Sequence, residues 1–236
     1  MTSHPERRLR RSGEGEARLP PTLALCVAIA TYALLPESLL VGPRFVIPGL
    51  EVLLLAALVA VNPVRMNRQT RWSRNLSIAL AVVVIISNLI ALGMLVSTLD
   101  AQAQDARGLL VGGVQVWITN VIGFGLLYWE LDRGGPVTRH RARRDRLPLA
   151  DWRFSQDEND DAVTEVAATS SKRTGWIPTF VDYLYLSLTN SSAFSPTDTM
   201  PLSPRAKMLM ATQATAALVV SLLIVARAVG SLGGGG

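Results

Sequence analysis

The stretch "DYLYLSLTNSSAFSPTDTMPLSPRAK", Asp182 to Lys207, decides how the second half of this chain is read. It opens as a short apolar helix, breaks in a polar segment carrying Pro196, Pro201 and Pro204, and restarts as a long apolar run. The apolar part before the break, Trp176 to Leu188, has 13 residues. A membrane-crossing helix needs roughly 20. This one is too short to cross, and its length suits a re-entrant or interfacial segment. Phe180, Tyr183, Leu184, Leu186 and Leu188 surround it with few polar positions, so it is expected to be buried in protein.

"TNSSAFSPTDTMPLSP" cannot continue that helix. Proline lacks a backbone donor, and Thr189, Asn190, Ser191 and Ser192 compete for backbone hydrogen bonds. Irregular backbone at membrane depth is tolerated only where protein covers it or a wet cavity borders it. "SPRAKMLMATQATAALVVSLLIVARAV" then supplies a full span, with Pro204 at its first turn and Arg227 near its far end. The order is short helix, polar turn, long helix.

The rest of the 236-residue chain gives this module its setting. Hydrophobic residues make up 49% and charged residues 17%, against about 25% charged in an average soluble domain. The charges fall in blocks between long apolar runs, which marks an integral membrane protein. Four such runs precede the module: Pro21 to Val41, Val46 to Val61, Leu76 to Leu99 and Leu109 to Leu131. "LLPESLLVGPRFVIPGLE" reads as a tight turn between the first two, with Glu51 near an interface or facing the bundle, the interface being the simpler reading. Asn88 is the one strongly polar member of the third run. Tyr128 and Trp129 fit an interfacial anchor on the fourth.

From Asp132 to Gly175 the chain is polar, dense in arginine at first and acidic in its middle. It reads as a partly ordered cytoplasmic linker. The sequence thus divides into a cytoplasmic tail (1–20), a four-helix transmembrane region (21–131), the charged linker (132–175), the short helix, turn and last span (176–230), and a flexible tail (231–236). The fold class is an all-α integral membrane protein: four spanning helices, the linker, a short re-entrant helix and a fifth span.

The net charge of +5 does not point to nucleic acid, because the arginines border apolar runs rather than forming a stripe with interleaved aromatics. They carry topology. The N-terminal tail with five arginines, the loop with Arg65, Arg68, Arg71 and Arg74, and "RHRARRDR" all fall on one side of a four-span arrangement. The positive-inside bias makes that side cytoplasmic and places the chain in the inner (plasma) membrane as a multi-pass protein with its N-terminus inside. Cys26 stands alone, so no intrachain disulfide forms. No HExxH, GxSxG, Walker-type or CxxC pattern is present, and His4 and His140 lie in charged segments. No enzyme, metal site or cofactor is expected.

The final module resembles the pore half of the tetrameric, potassium-channel-like cation channels, over about a quarter of the chain. It is also similar to the ending of small bacterial membrane proteins that carry it after four apolar spans. The resemblance matches "DYLYLSLTN" to the pore helix and "SSAFS" to the filter, with Ala206 to Val229 as the inner helix. It implies a pore or filter-like set of Thr189, Asn190, Ser191, Ser192, Ala193, Phe194, Ser195, Thr197 and Asp198. Gln213, Ala217 and Ser221 would line the inner helix; close packing through small residues is the competing reading. Asp198 would draw cations to a mouth or close a turn, and Asp182 would cap the short helix or its dipole.

The window Ser191 to Ser195 departs from the family's T-V-G-Y-G. It has no glycine to turn successive carbonyls toward an ion. The resemblance therefore implies an oligomeric, most simply tetrameric, channel-like protein passing monovalent cations without potassium selectivity. A second departure is direction, since the short helix would enter from the cytoplasm. The rival expectation is a non-conducting scaffold in the lipid bilayer that binds lipid or a partner protein.

Overall fold

Runs of leucine, valine, isoleucine and alanine bounded by proline, glycine and arginine fold as helices almost throughout. The computed structural model describes residues 15–40, 42–61, 64–66, 70–97, 106–158, 163–193 and 198–233. Among these residues the helices are α1 (Leu19–Ala33), α2 (Val46–Val61), α3 (Arg71–Ser97), α4 (Ala106–Leu131), α5 (Pro136–Arg141), α6 (Thr164–Ala167), α7 (Ser171–Thr174), α8 (Phe180–Ser192) and α9 (Pro204–Gly233). Two residues of strand β1 (Trp152–Arg153) pair antiparallel with β2 (Met200–Pro201).

Three helices are long and apolar enough to cross a membrane: Arg71–Ser97, Gly108–Gly134 along α4, and Pro204–Val229. The apolar helices α1 and α2 are shorter, at 15 and 16 residues. Their outer faces carry leucine, isoleucine and valine: Leu23 and Val27 on α1, Leu50 and Leu53 on α2, Ile86 and Ile90 on α3, Leu222 and Val225 on α9. In water such a surface would aggregate; in lipid it is the solvated face. The chain is a helical membrane protein.

Helix α4 is the axis. Every residue from Val121 to Glu130 is buried, and α1, α3, α8 and α9 all pack on it. Close approach depends on missing side chains. A Cβ on Gly125 would lie 3.3 Å from the Leu184 backbone of α8, and one on Gly112 would lie 2.5 Å from the Leu39 side chain. Small residues at helix contacts are how membrane helices gain van der Waals contact without a hydrophobic drive between them. The end of α4 is set by three successive positive-φ residues, Arg133 at 49°, Gly134 at 82° and Gly135 at 91°. The glycines accept this without steric cost, and Arg133 is held there by an ion pair to Asp157 at 2.6 Å.

One end of the bundle collects the arginine-rich segments. Ala17 pairs with Arg65, and the Met66 N–H donates to the Glu16 carbonyl at 3.1 Å. The start of α8 reaches the end of α4 through a hydrogen bond from the Tyr183 hydroxyl to Asp132. The start of α9 reaches the same place through Ser203 and Arg205, which both bond Asp151, while the Asp151 N–H donates to Asp132 at 2.7 Å. Helices α8 and α9 therefore begin at one end and both run back along α4. Twelve residues further along α4 from Asp132, Asn120 meets Ser191 near the end of α8.

Three sequence expectations change. Tyr128 and Trp129 are not interfacial anchors: they are 0% and 4% exposed, because α8, α9 and the 132–175 segment cover that face of α4. Glu51 is buried at 2% exposure rather than lying at an interface. The described parts of the segment expected as a partly ordered linker, residues 132–158 and 163–175, fold against the bundle. Trp152 is fully buried against Tyr128, with ring centroids 4.8 Å apart, and its indole N–H points at the Met210 sulfur at 3.2 Å. Within the N-terminal tail, Glu16 is buried as well.

Candidate functional site

The short helix α8 is positioned first by its own start. Asp182, three residues into the helix, accepts the Thr179 N–H at 2.7 Å and the Thr179 hydroxyl at 2.9 Å, a capping box that satisfies donors the first turn leaves open. Glu16 adds an acceptor from another part of the chain, taking the Phe180 N–H at 2.6 Å and the Trp129 indole N–H at 3.0 Å. Two carboxylates at a helix N-terminus also match its positive pole.

From there α8 turns Ser187, Asn190 and Ser191 inward, at i, i+3 and i+4 on one helical face. All three are buried, and they converge on Gln213 of α9, which is fully buried. The Gln213 carbonyl oxygen accepts from the Tyr128 hydroxyl at 2.6 Å and from the Asn190 amide at 2.9 Å. Its amide nitrogen faces the Ser187 hydroxyl at 2.6 Å, the Ser191 hydroxyl at 2.8 Å and the Ser187 carbonyl at 3.0 Å. The Ser187 hydroxyl donates to the Val121 carbonyl at 2.6 Å, and the Asn190 amide also donates to the Met210 carbonyl at 3.0 Å. Asn120 donates longer bonds to Ser191 and to the Gln213 backbone carbonyl, at 3.5 and 3.4 Å.

This knot ties α4, α8 and α9 together at one level. In a low-dielectric interior each bond is electrostatically stronger than in water, and a group left unpaired is costly. The side-chain oxygens of Gln213, Ser187 and Ser191 each meet a donor from the same chain, while the buried Asn120 Oδ1 has no partner among the described residues.

The candidate residues named from sequence separate into three groups. Asn190, Ser191 and Gln213 come together in the knot, and Ala217, fully buried, follows Gln213 one turn on along α9. Thr189 and Ser192 return their hydroxyls to their own helix, Thr189 to the Tyr185 and Leu186 carbonyls and Ser192 to the Leu188 carbonyl. Ala193 and Asp198 are exposed, and Ser221 is half-buried on α9. Phe194, Ser195 and Thr197 lie outside the described residues.

No family model, curated protein or solved structure matches this chain. Its function is read from geometry.

Several residues of the site carry no motif. Asn120, Tyr128 and Ser187 complete the knot, and nothing in a hydropathy profile separates them from ordinary span residues. At the arginine-rich end, Arg139 from the basic cluster is fully buried. It donates to the Trp129 and Asp132 carbonyls at 2.6 and 2.8 Å and lies 4.8 Å from the Tyr183 ring centre. A cation there caps the last carbonyls of α4 and meets their negative pole. Among the described residues no cluster of three or more His, Cys, Asp or Glu is placed to hold a metal ion.

Proposed function

We propose that this is a multi-pass plasma-membrane scaffold whose α4–α8–α9 core is sealed to ions and whose cytoplasmic end presents a docking surface for lipid. In this reading α1, α2, α3, α4 and α9 cross the bilayer, the N-terminus is cytoplasmic, and α8 is a re-entrant helix entering from the cytoplasm. The gathering of all described arginine-rich segments at one end supports this topology, since the positive-inside bias acts on such segments.

The observation that carries the sealed core is the state of Gln213. It is fully buried and its side-chain oxygen and nitrogen are both bonded within the protomer. A conduction path needs oxygens free to replace an ion's water shell. On α8, Ser187, Asn190 and Ser191 are committed to contacts among three helices, and Thr189 and Ser192 return their hydroxyls to their own helix.

A channel-like oligomer is the second reading, favoured by one specific feature. Helices α8 and α9 start at the same end, as a pore helix and an inner helix do, and α8 leaves Val181, Tyr185 and Leu188 exposed where a second copy could pack. Flux through reconstituted liposomes separates the two. The scaffold reading predicts background monovalent-cation flux from wild type and from Asp198→Asn alike. Cation flux from the wild type that Asp198→Asn suppresses overturns it and establishes the channel.

A further inference from the structure

Helices α1 to α4 border a partly open cleft near the arginine-rich end, with about 450 Å³ of space that includes its open mouth. It lies where α2 and α4 face each other across α1 and α3. Its wall changes character in the same direction along α1, α3 and α4. At the outer end stand Arg18, Thr22, Ser77 and Glu130; deeper come Leu25 on α1, Leu55 and Leu58 on α2, Leu80 and Ala81 on α3, and Leu126 on α4. Helices α1, α3 and α4 thus grade from polar to apolar together while α2 adds leucine alone, which is the profile of an amphiphile standing upright in a leaflet.

The mouth is electropositive. The Glu130 carboxylate is bonded by Ser77 and surrounded by Arg139, Arg74 and Arg18. Glu16 is the other carboxylate close to Arg139, at 3.9 Å. The neighbouring loop adds Arg65 and Arg71 with no acid between Asn62 and Asn75. The Nε–H groups of Arg18 and Arg74 are buried and bonded to nothing among the described residues. A buried guanidinium N–H without an acceptor is a group awaiting one. Arg18 is fixed in place because its backbone N–H donates to the Val64 carbonyl at 3.2 Å.

We infer that the cleft holds one acyl chain of an anionic phospholipid, with the phosphate seated on Arg18 at the mouth. The inference rests on the membrane-scaffold reading and gives it a ligand class. An acyl chain suits the leucine-lined depth, where burial of each CH₂ is favourable, and a phosphate supplies oxygens that match a guanidinium N–H without an acceptor. A zwitterionic head would bring a quaternary ammonium to an already positive mouth.

The test uses the full chain, delipidated in detergent and titrated with phosphatidylglycerol or phosphatidylcholine. Retained lipid is counted by native mass spectrometry and melting is followed in parallel. The wild type is expected to retain one phosphatidylglycerol about fivefold more tightly than phosphatidylcholine, the preference that one well-placed arginine confers. Arg18→Gln removes that preference and leaves phosphatidylcholine binding unchanged. Ala81→Phe, or Leu55→Trp where the first fails to fold, fills the depth and abolishes retention of both lipids. Equal retention of the two lipids by wild type, an unaltered preference in Arg18→Gln, or wild-type stoichiometry in a well-folded filled variant overturns the assignment. So does a melting shift of the same size from inorganic phosphate alone, which would mark a simple anion site. Cation flux in liposomes would overturn the scaffold reading and leave the cleft standing, whereas equal lipid retention sinks the cleft alone.

Discussion

Replacing Gln213 by leucine removes the centre of the polar knot while keeping most of its volume. The wild-type side chain faces five partners, but its amide nitrogen carries two protons, so at most two donated and two accepted bonds exist at once. Side-chain hydrogen bonds inside membrane proteins average about 0.6 kcal/mol each. Four of them give a loss of about 2–3 kcal/mol. Reversible unfolding in mixed micelles, titrated with a denaturing detergent, reads this directly. The shared term is isolated by a cycle with Tyr128→Phe, whose hydroxyl bonds the Gln213 carbonyl at 2.6 Å. That pair should show a coupling of about 0.6–1.7 kcal/mol. Additive single and double variants, or a leucine variant within about 0.5 kcal/mol of wild type, would refute the view that the knot holds α4, α8 and α9 together.

Two other substitutions probe the same packing. Gly125→Leu places carbon atoms against the α8 backbone, which a Cβ already meets at 3.3 Å, so overpacking should cost about 1–3 kcal/mol in the same unfolding assay. Trp152→Ala empties a fully buried site between Tyr128, Tyr183 and Met210. It should cost about 3–5 kcal/mol and make Arg144 and Arg146 faster targets for limited tryptic digestion.

The elements were legible in the sequence where one variable decided them. Apolar run length found α3, α4 and α9, and proline placement with the short run before it found the break between α8 and α9. What a single variable could not reach was the destination of polar groups. Ser187, Asn190, Ser191 and Gln213 have the same helical spacing whether they face an ion path or a neighbouring helix; only packing against Tyr128 and Asn120 of α4 decides. The reading of Tyr128 and Trp129 as anchors followed from their place at the end of a span. They are buried instead because the segment after that span folds back over them. That segment resembled a linker because its charges were counted as solvated. Asp132, Arg139 and Asp151 are in fact paired with backbone, Tyr183, Ser203 and Arg205 inside the fold. Glu51 misled for a related reason: on α2 a buried acid and an interfacial acid have identical sequence surroundings.

The sealed core is tested most directly by a thiol placed at Ser191, which is fully buried on the face of α8 that meets Gln213. In a Cys26→Ser background, Ser191→Cys changes an oxygen to a sulfur and little else, and a thiolate reacts only where water and reagent reach it. With the protein in lipid vesicles and a membrane-impermeant methanethiosulfonate reagent on both sides, exposed Ala168→Cys should label within minutes. Ser191→Cys should stay unmodified until the protein is unfolded. Labelling of Ser191→Cys in the folded protein at a rate close to that of Ala168→Cys would show a water-filled path through the knot and contradict the account.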